Sequence, residues 1–212
     1  MSNLTNKTQF IICVVFNQRL SVKELEKLPD FFTPKEASKR GVTPYMLSKM
    51  LSEGLLEKAD RGVYKKSEAV DLGEWTGFVA ASKKVGHQNA ICLLSALVYH
   101  KLAEAVPTTV WLLVDFNVRS TKEGITVFRR RDPHWNIGIL KDGPILVTDL
   151  ERTLVECLVF KDKVGYNETF YALKKALNRN NPMTRASLVL DRAKALGAEH
   201  LIQKSMEPFI YE

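Results

Sequence analysis

The stretch TPKEASKRGVTPYMLSKMLSEG contains two helix start signals close together in the chain. Thr33 is followed by a proline and then by Glu36, a capping-box pattern that begins a short helix ending at Gly41. Thr43 is also followed by a proline, and the helix that it begins ends at Gly54. Since little more than one glycine and one valine separates the two helices, the pattern predicts a helix-turn-helix.

The next residues, LLEKADRGVYKK, have the pattern of a hairpin. Leu55 and Leu56 are apolar, a polar turn extends from Ala59 to Gly62, and a return strand follows at Val63 to Lys65. Two helices and a hairpin in this order predict a winged helix-turn-helix. We expect this first domain to span residues 1–66.

The second helix of this motif has two faces of different character. Leu47, Met50 and Leu51 recur at the spacing of a helix face that packs into a core. The opposite face would hold the residues of a recognition helix, whose hydroxyls and cation can bond base edges or phosphates: Thr43, Tyr45, Ser48, Lys49 and Ser52. The hairpin adds four cations that could contact the phosphates of the DNA backbone: Lys58, Arg61, Lys65 and Lys66. The alternative is a helical hairpin whose polar face is merely solvated.

The basic charge is concentrated in the same region. Residues 1–66 contain 12 Lys or Arg against 7 Asp or Glu, whereas residues 67–212 contain 19 against 17. A local excess of this kind favours a polyanionic partner. Together with the motif, it makes double-stranded DNA the predicted partner of the first domain.

The rest of the chain predicts further helices and a second, mixed domain at residues 67–212. Thr148 and Glu151 form another capping pattern, for a helix that ends near Phe160. The other expected elements are a first helix at Asn6–Leu20, a short helix beginning at Ser21, helices at Leu72–Lys84 and near Leu94–Lys101, strands in TTVWLLVDF, GITVFRRR and NIGILKDGPILVTD, and three C-terminal helices near Tyr166–Asn178, Thr184–Leu196 and Glu199–Met206. The expected fold class is α+β: an N-terminal winged helix-turn-helix, then a mixed α/β domain with a helical C-terminal end.

The residues favour neither a membrane protein nor an enzyme. The apolar run FIICVVF is much shorter than the ~20 residues of a membrane span. Cys13, Cys92 and Cys157 lie far apart, which predicts reduced structural thiols and a cytoplasmic protein. Ser95 and His100 are not spaced as a nucleophile and its base, and His100 is expected to be a structural, hydrogen-bonded residue. No metal or cofactor is predicted, and a metal-dependent nuclease remains the weakest alternative.

Three segments resemble one protein family. FFTPKEASKRGVTPYMLSKMLSEGLLEKADRGVYKK looks like the N-terminal winged helix of the AbiEi antitoxin family. LSALVYHKL is similar to a second segment of that family. VTDLERTLVE resembles a third, with Glu156 where an aspartate is more usual. These segments occur in the expected order.

The resemblance implies an antitoxin of a bacterial type IV toxin–antitoxin system, which represses its own operon and counteracts a nucleotidyltransferase-like toxin. It places Thr43, Tyr45, Ser48 and Lys49 on the recognition helix, and Arg61 and Lys65 in the wing. Two copies are expected on an inverted repeat, and direct contact with the toxin is left open. The competing hypothesis is a stand-alone transcriptional regulator whose second domain senses a ligand or partner. The run Arg129 to Arg131 is either a solvated strand end or a further contact with DNA or a partner.

Overall fold

A computed structural model describes residues 23–103, 107–115, 122–129, 135–178 and 182–207, with the backbone alone at 182–185. The chain divides into two compact units, Met1–Lys84 and Val85–Glu212. The sequence interpretation placed the boundary at Lys66 instead. The predicted helix at residues 6–20 and the predicted helix start at Ser21 lie outside the described residues.

The first unit combines short helices with a three-stranded sheet. After a helical turn at residues 23–26, its elements are β1 (Phe31–Phe32), α1 (Pro34–Lys39), α2 (Pro44–Ser52), β2 (Leu56–Asp60), β3 (Val63–Lys66), a 3-10 turn (Gly73–Trp75) and α3 (Thr76–Val85).

Both predicted helix starts are confirmed. The hydroxyl of Thr33 accepts a hydrogen bond from the Glu36 N–H at 3.3 Å, and the Glu36 carboxylate accepts one from the Thr33 N–H at 2.8 Å. The hydroxyl of Thr43 accepts a hydrogen bond from the Met46 N–H at 3.3 Å. Gly41 has a φ of 82°, a conformation that costs glycine little and lets the chain reverse between the helices.

The sheet of this unit is antiparallel, with strand order β1-β3-β2. The hairpin formed by β2 and β3 was predicted, but β1 was not. In β1, Phe32 lies opposite Tyr64, and their rings stack with centroids 5.9 Å apart. A strand of two residues has no periodicity of its own, so it could be recognised only from its partner in the folded chain.

The second unit contains a five-stranded mixed sheet and a set of helices. Its elements are β4 (Asn89–Ile91), α4 (Leu93–Tyr99), β5 (Val110–Val114), β6 (Ile125–Arg129), β7 (Ile139–Asp142), β8 (Ile145–Thr148), α5 (Leu150–Val159), α6 (Lys161–Val164), α7 (Tyr166–Leu177), α8 (Pro182–Ala195) and α9 (Glu199–Met206).

The sheet order is β6-β5-β4-β8-β7. The central pair β4 and β8 is parallel, as is β5 with β6, and the other two pairs are antiparallel. Strand β4 was missed: its three residues directly precede the helix predicted near Leu94–Lys101, and the sequence interpretation assigned no element to them. The architecture is therefore mixed α+β, with two sheets and helices at its C-terminal end.

Helix α5 lies at the centre of the second unit's core. Every residue from Arg152 to Leu158 is buried, so the helix is enclosed on all sides. Apolar residues of α4, α7, α8 and α9 belong to the same core cluster. The N-terminus of α5 corrects one prediction: Asp149, not Thr148, caps the helix, since its carboxylate accepts the Arg152 N–H at 2.7 Å. Thr148 instead ends strand β8.

A buried ion pair anchors this helix. Arg152 Nε donates to Glu156 at 2.9 Å, and both side chains are fully buried. Arg152 Nη1 also donates to the carbonyls of Trp135 at 2.9 Å and Ile137 at 2.6 Å. Glu156 thus supplies the negative charge that a buried guanidinium requires.

The cap residue Asp149 is enclosed by its neighbours. Its second carboxylate oxygen accepts a hydrogen bond from Arg192 of α8 at 2.6 Å. Gly138 lies directly against this carboxylate. A Cβ atom at position 138 would be 2.9 Å from both carboxylate oxygens of Asp149, which is too close. With a φ of 69°, Gly138 is therefore required both by its backbone conformation and by space.

The other candidate reactive groups of the second unit are structural. Ser95 Oγ accepts a hydrogen bond from the Trp111 N–H at 2.9 Å, and His100 Nε2 lies 2.8 Å from the Thr148 carbonyl oxygen, as expected for a structural histidine. Cys92 and Cys157 are buried free thiols. Burial raises the pKa of both thiols well above the ordinary value, so neither carries appreciable reactive thiolate near neutral pH. Cys13 lies outside the described residues.

We predict that Glu156→Ala lowers the free energy of unfolding by ~3–5 kcal/mol, because the Arg152 charge would stay buried without its carboxylate. Urea denaturation at pH 7 would measure the change. Glu156→Gln keeps an acceptor for Arg152 and should cost less, and Glu123→Ala, at an exposed turn, should change the value by less than about 0.5 kcal/mol. A loss below about 1 kcal/mol in Glu156→Ala would contradict this account.

Candidate nucleic-acid interface

Helix α2 has one buried face and one exposed face. Leu47 is 5% exposed and Met50 is 1% exposed, and both belong to the core cluster of the first unit. Val42, just before the helix, is buried in the same cluster. The apolar spacing in the sequence therefore gave the correct inward face, and the predicted contact residues lie toward the other side.

Three of the five predicted contact residues on α2 already make contacts within the helix. The hydroxyl of Thr43 is engaged in the N-cap. The hydroxyl of Ser52 donates to the Lys49 carbonyl at 2.7 Å. The Lys49 ammonium lies 3.8 Å from the Glu53 carboxylate and is half-buried. The Thr43 contact follows from the predicted helix start, whereas sequence spacing could not show the contacts of Ser52 and Lys49, because they depend on side-chain conformation.

Tyr45 and Ser48 differ from the other three. The Tyr45 side chain is 77% exposed, and Ser48 is also exposed one helical turn further on. Neither side chain forms a hydrogen bond with another residue in the described part of the chain. They are thus the two predicted α2 residues whose side chains can meet a partner without first leaving a contact.

The four predicted cations of the hairpin also divide into two pairs. Lys65 lies 3.0 Å from Glu57 across the hairpin, and Lys66 lies 3.9 Å from Asp30. Lys58 and Arg61 are exposed and form no ion pair with the described residues. The side chains of Lys65 and Lys66 are only 20% and 12% exposed, so both are less accessible to an anion than Lys58 and Arg61.

The turn of the hairpin is held by Asp60. Its carboxylate accepts the backbone N–H of Arg61 at 2.5 Å and an ammonium hydrogen of Lys84 in α3 at 2.6 Å. The hydrogen bond from Lys84 is the main reason that the pKa of Asp60 lies below its usual value. Lys84 therefore ties the hairpin to α3.

The same helix is also tied to α1. Lys83 lies 3.4 Å from Glu36, the residue that completes the capping box of α1. Burial alone would raise the pKa of Glu36, but the Thr33 backbone hydrogen bond and the charge of Lys83 outweigh burial and lower the pKa. Two adjacent lysines of α3 thus contact both the helix pair and the hairpin.

Helix α1 offers cations that the sequence interpretation did not assign. Lys35 and Lys39 are exposed, and Arg40, which follows the helix, is exposed and donates to the Lys27 carbonyl at 2.9 Å. Their signal in the sequence is the polar face of α1, to which no contact role was predicted because α2 was expected to read the bases. They extend the positive charge of the first unit beyond the hairpin.

The second unit offers less for a binding site. Arg129 is exposed at the end of β6, whereas Arg130 and Arg131 lie outside the described residues. A surface cavity of about 310 Å³ is lined by Glu151, Leu188, Asp191, Arg192 and Ala195. Within the described ranges, no three His, Cys, Asp or Glu side chains are grouped as a metal site, and no helix is long and apolar enough to cross a membrane.

A comparison with known protein families finds a match in the segment that contains α2 and most of the hairpin. Residues 20–64 match the family of AbiEi antitoxin transcriptional regulators. The resemblance predicted from the sequence is confirmed over this segment. The match supports a regulatory role, and the matched family consists of regulators rather than enzymes. The matched residues include α1, α2, β2 and the start of β3.

Other comparisons add information on the fold alone. The crystal structure of the RV2827C protein from Mycobacterium tuberculosis is similar with a TM-score of 0.50 and 11% sequence identity, over 93% of this chain and 82% of that one. No protein of curated function matches the chain. At 11% identity, the structural likeness supports a shared architecture and gives no information on binding.

We predict that Lys84→Met raises the pKa of the Asp60 carboxyl toward its ordinary value of ~3.9, because the main hydrogen bond to the carboxylate is lost. A carbon-detected NMR titration would measure it. Since the folded pKa is depressed, this ion pair stabilises the fold above pH ~3.9 and is lost as the pH falls through the lowered pKa. Lys83→Met, which removes the contact to Glu36, is the matched control and should leave Asp60 unchanged; an Asp60 pKa that does not respond to Lys84→Met would refute the assignment.

Proposed function

We propose that the first unit is a winged helix-turn-helix that binds double-stranded DNA, with α2 as the recognition helix and the β2–β3 hairpin as the wing. The protein is then a cytoplasmic transcriptional repressor of its own operon, bound as two copies to an inverted repeat. In this proposal α2 enters the major groove, and Lys58 and Arg61 contact the flanking phosphates.

One observation carries the proposal. The segment that matches the AbiEi regulator family is the same segment that forms two tightly joined helices followed by a hairpin, with a polar exposed face on α2 and exposed cations at the hairpin. The family match rests on the sequence, whereas the exposure of the hairpin cations Lys58 and Arg61 is seen in the fold. Both favour DNA over a purely structural role for these elements.

We further propose that the protein is the antitoxin of a type IV toxin–antitoxin system and that residues 67–212 carry the antitoxin function. The partner would be a nucleotidyltransferase-like toxin, counteracted with or without direct contact. The alternative function, a stand-alone regulator that senses a ligand, has one observation in its favour. The cavity beside Arg192 in the second unit is large enough for a small molecule.

DNA binding can be tested by fluorescence anisotropy with the protein's own upstream DNA and a scrambled duplex at two salt concentrations. We expect tighter binding to the upstream DNA, weakening as salt increases. Replacing both Lys58 and Arg61 by alanine should reduce the slope of log affinity against log salt by about two, because two phosphate contacts are lost. A matched control replaces Lys141 and Lys174, two exposed lysines of the second unit. Equal, feeble binding to both duplexes would refute the DNA-binding role.

The antitoxin role can be tested by co-expression with a nucleotidyltransferase-like protein encoded beside this chain. We expect the toxin to arrest growth and this protein, supplied from an unrelated promoter, to restore it. The unrelated promoter separates neutralisation from repression. If growth is not restored while specific DNA binding is retained, the stand-alone regulator is the correct description.

A further inference from the structure

The exposed face of α2 offers few polar groups for reading bases. The hydroxyls of Thr43 and Ser52 are engaged with the helix backbone, and the Lys49 ammonium lies beside Glu53. A lysine that leaves this contact can reach phosphates at least as well as bases, and phosphate contacts do not discriminate between sequences. The base preference of this helix therefore depends mainly on what Tyr45 and Ser48 present.

Tyr45 presents a large apolar ring at the N-terminal end of α2. It is the second residue of the helix, and it is 77% exposed, more than any other large hydrophobic side chain in the described residues. Residues in the first turns of a recognition helix are those that reach base edges. The ring is thus both uncovered and placed where the groove would be.

We infer that Tyr45 sets the sequence preference of this protein by packing its ring against the C5 methyl group of thymine in the major groove. The inference rests on the proposed DNA-binding function. Among base edges in the major groove, the thymine methyl is the apolar group that a ring can contact, and such a contact distinguishes thymine from the other bases. The hydroxyl of Ser48, one turn further on, could donate a hydrogen bond to the adjacent base or accept one from it.

The surroundings of Tyr45 favour a nucleic acid over a protein partner. The side chains that share its face are Ser48, Lys49 and Ser52, all of them polar, whereas the centre of a protein interface is normally a patch of several apolar side chains. The other exposed large hydrophobic side chain described in the first unit, Val70, lies after the hairpin and not on α2. A lone ring among hydroxyls and a cation fits a groove that offers methyl groups between hydrogen-bonding atoms.

The test compares two versions of the upstream duplex, one with thymine and one with deoxyuridine at every thymine position, which removes only the C5 methyl groups. We expect the full-length protein to bind the thymine duplex about fourfold more tightly for each methyl contacted, the factor expected for one buried carbon. Tyr45→Ala should bind both duplexes equally. Tyr45→Phe should retain the preference, since the contact requires the ring and not the hydroxyl.

Val70→Ala provides the matched control, because it removes an equally exposed apolar side chain from the same unit and should leave the preference intact. Thermal denaturation of each variant would confirm that it is folded. If the wild-type protein prefers upstream over scrambled DNA but ignores the methyl groups, or if Tyr45→Ala keeps the preference, the inference is wrong and the proposed function stands. If the wild-type protein does not prefer upstream DNA at all, both fail.

Discussion

The turn between α1 and α2 is the constraint on which the candidate interface depends. Val42 is buried in the core, and its N–H donates to the Ala37 carbonyl at 3.0 Å, so the chain must enter the core between two helices whose N-termini are capped by threonines. Gly41 permits this by adopting a positive φ. Once Val42 is buried, Leu47 and Met50 are directed inward on the following helix. The exposed face of α2 is therefore a consequence of the packing of one residue that precedes it.

In the second unit, the buried guanidinium of Arg152 contributes to the orientation of helix α5. Arg152 pairs with Glu156 on its own helix and donates to two carbonyls of the segment before β7, so a rotation of α5 would break both hydrogen bonds that join the guanidinium to that segment. Replacement of the pair by apolar residues of similar volume could stabilise a core equally well. What the arginine adds is its two hydrogen bonds to the Trp135 and Ile137 carbonyls, which favour one orientation of α5.

The sequence predicted those features that depend on short-range signals. The two capped helices, the hairpin and the apolar face of α2 all follow from patterns within a few residues. Strands β1 and β4 were missed because their identity depends on partners far along the chain. Asp149 was overlooked as a cap because Thr148 offered an equally good signal one residue earlier, and only the pairing of Thr148 in β8 excludes it. For the candidate interface, residue types were predictable, but which side chains are engaged with neighbours, such as Lys49 and Lys65, was not.

This difference between residue type and availability bears on how such a protein could recognise DNA. Contacts within the helix occupy three of the five predicted contact residues of α2, which leaves the Tyr45 ring, its hydroxyl and the Ser48 hydroxyl for base edges. A mismatch at one base pair typically costs ~1–3 kcal/mol, so one copy reading two or so base pairs would discriminate weakly among genomic sites. Two copies on an inverted repeat would double that discrimination while each keeps its stabilising contacts. Under the proposed function, a helix whose Thr43 and Ser52 hydroxyls bond its own backbone would therefore discriminate among sites better as two copies than as one.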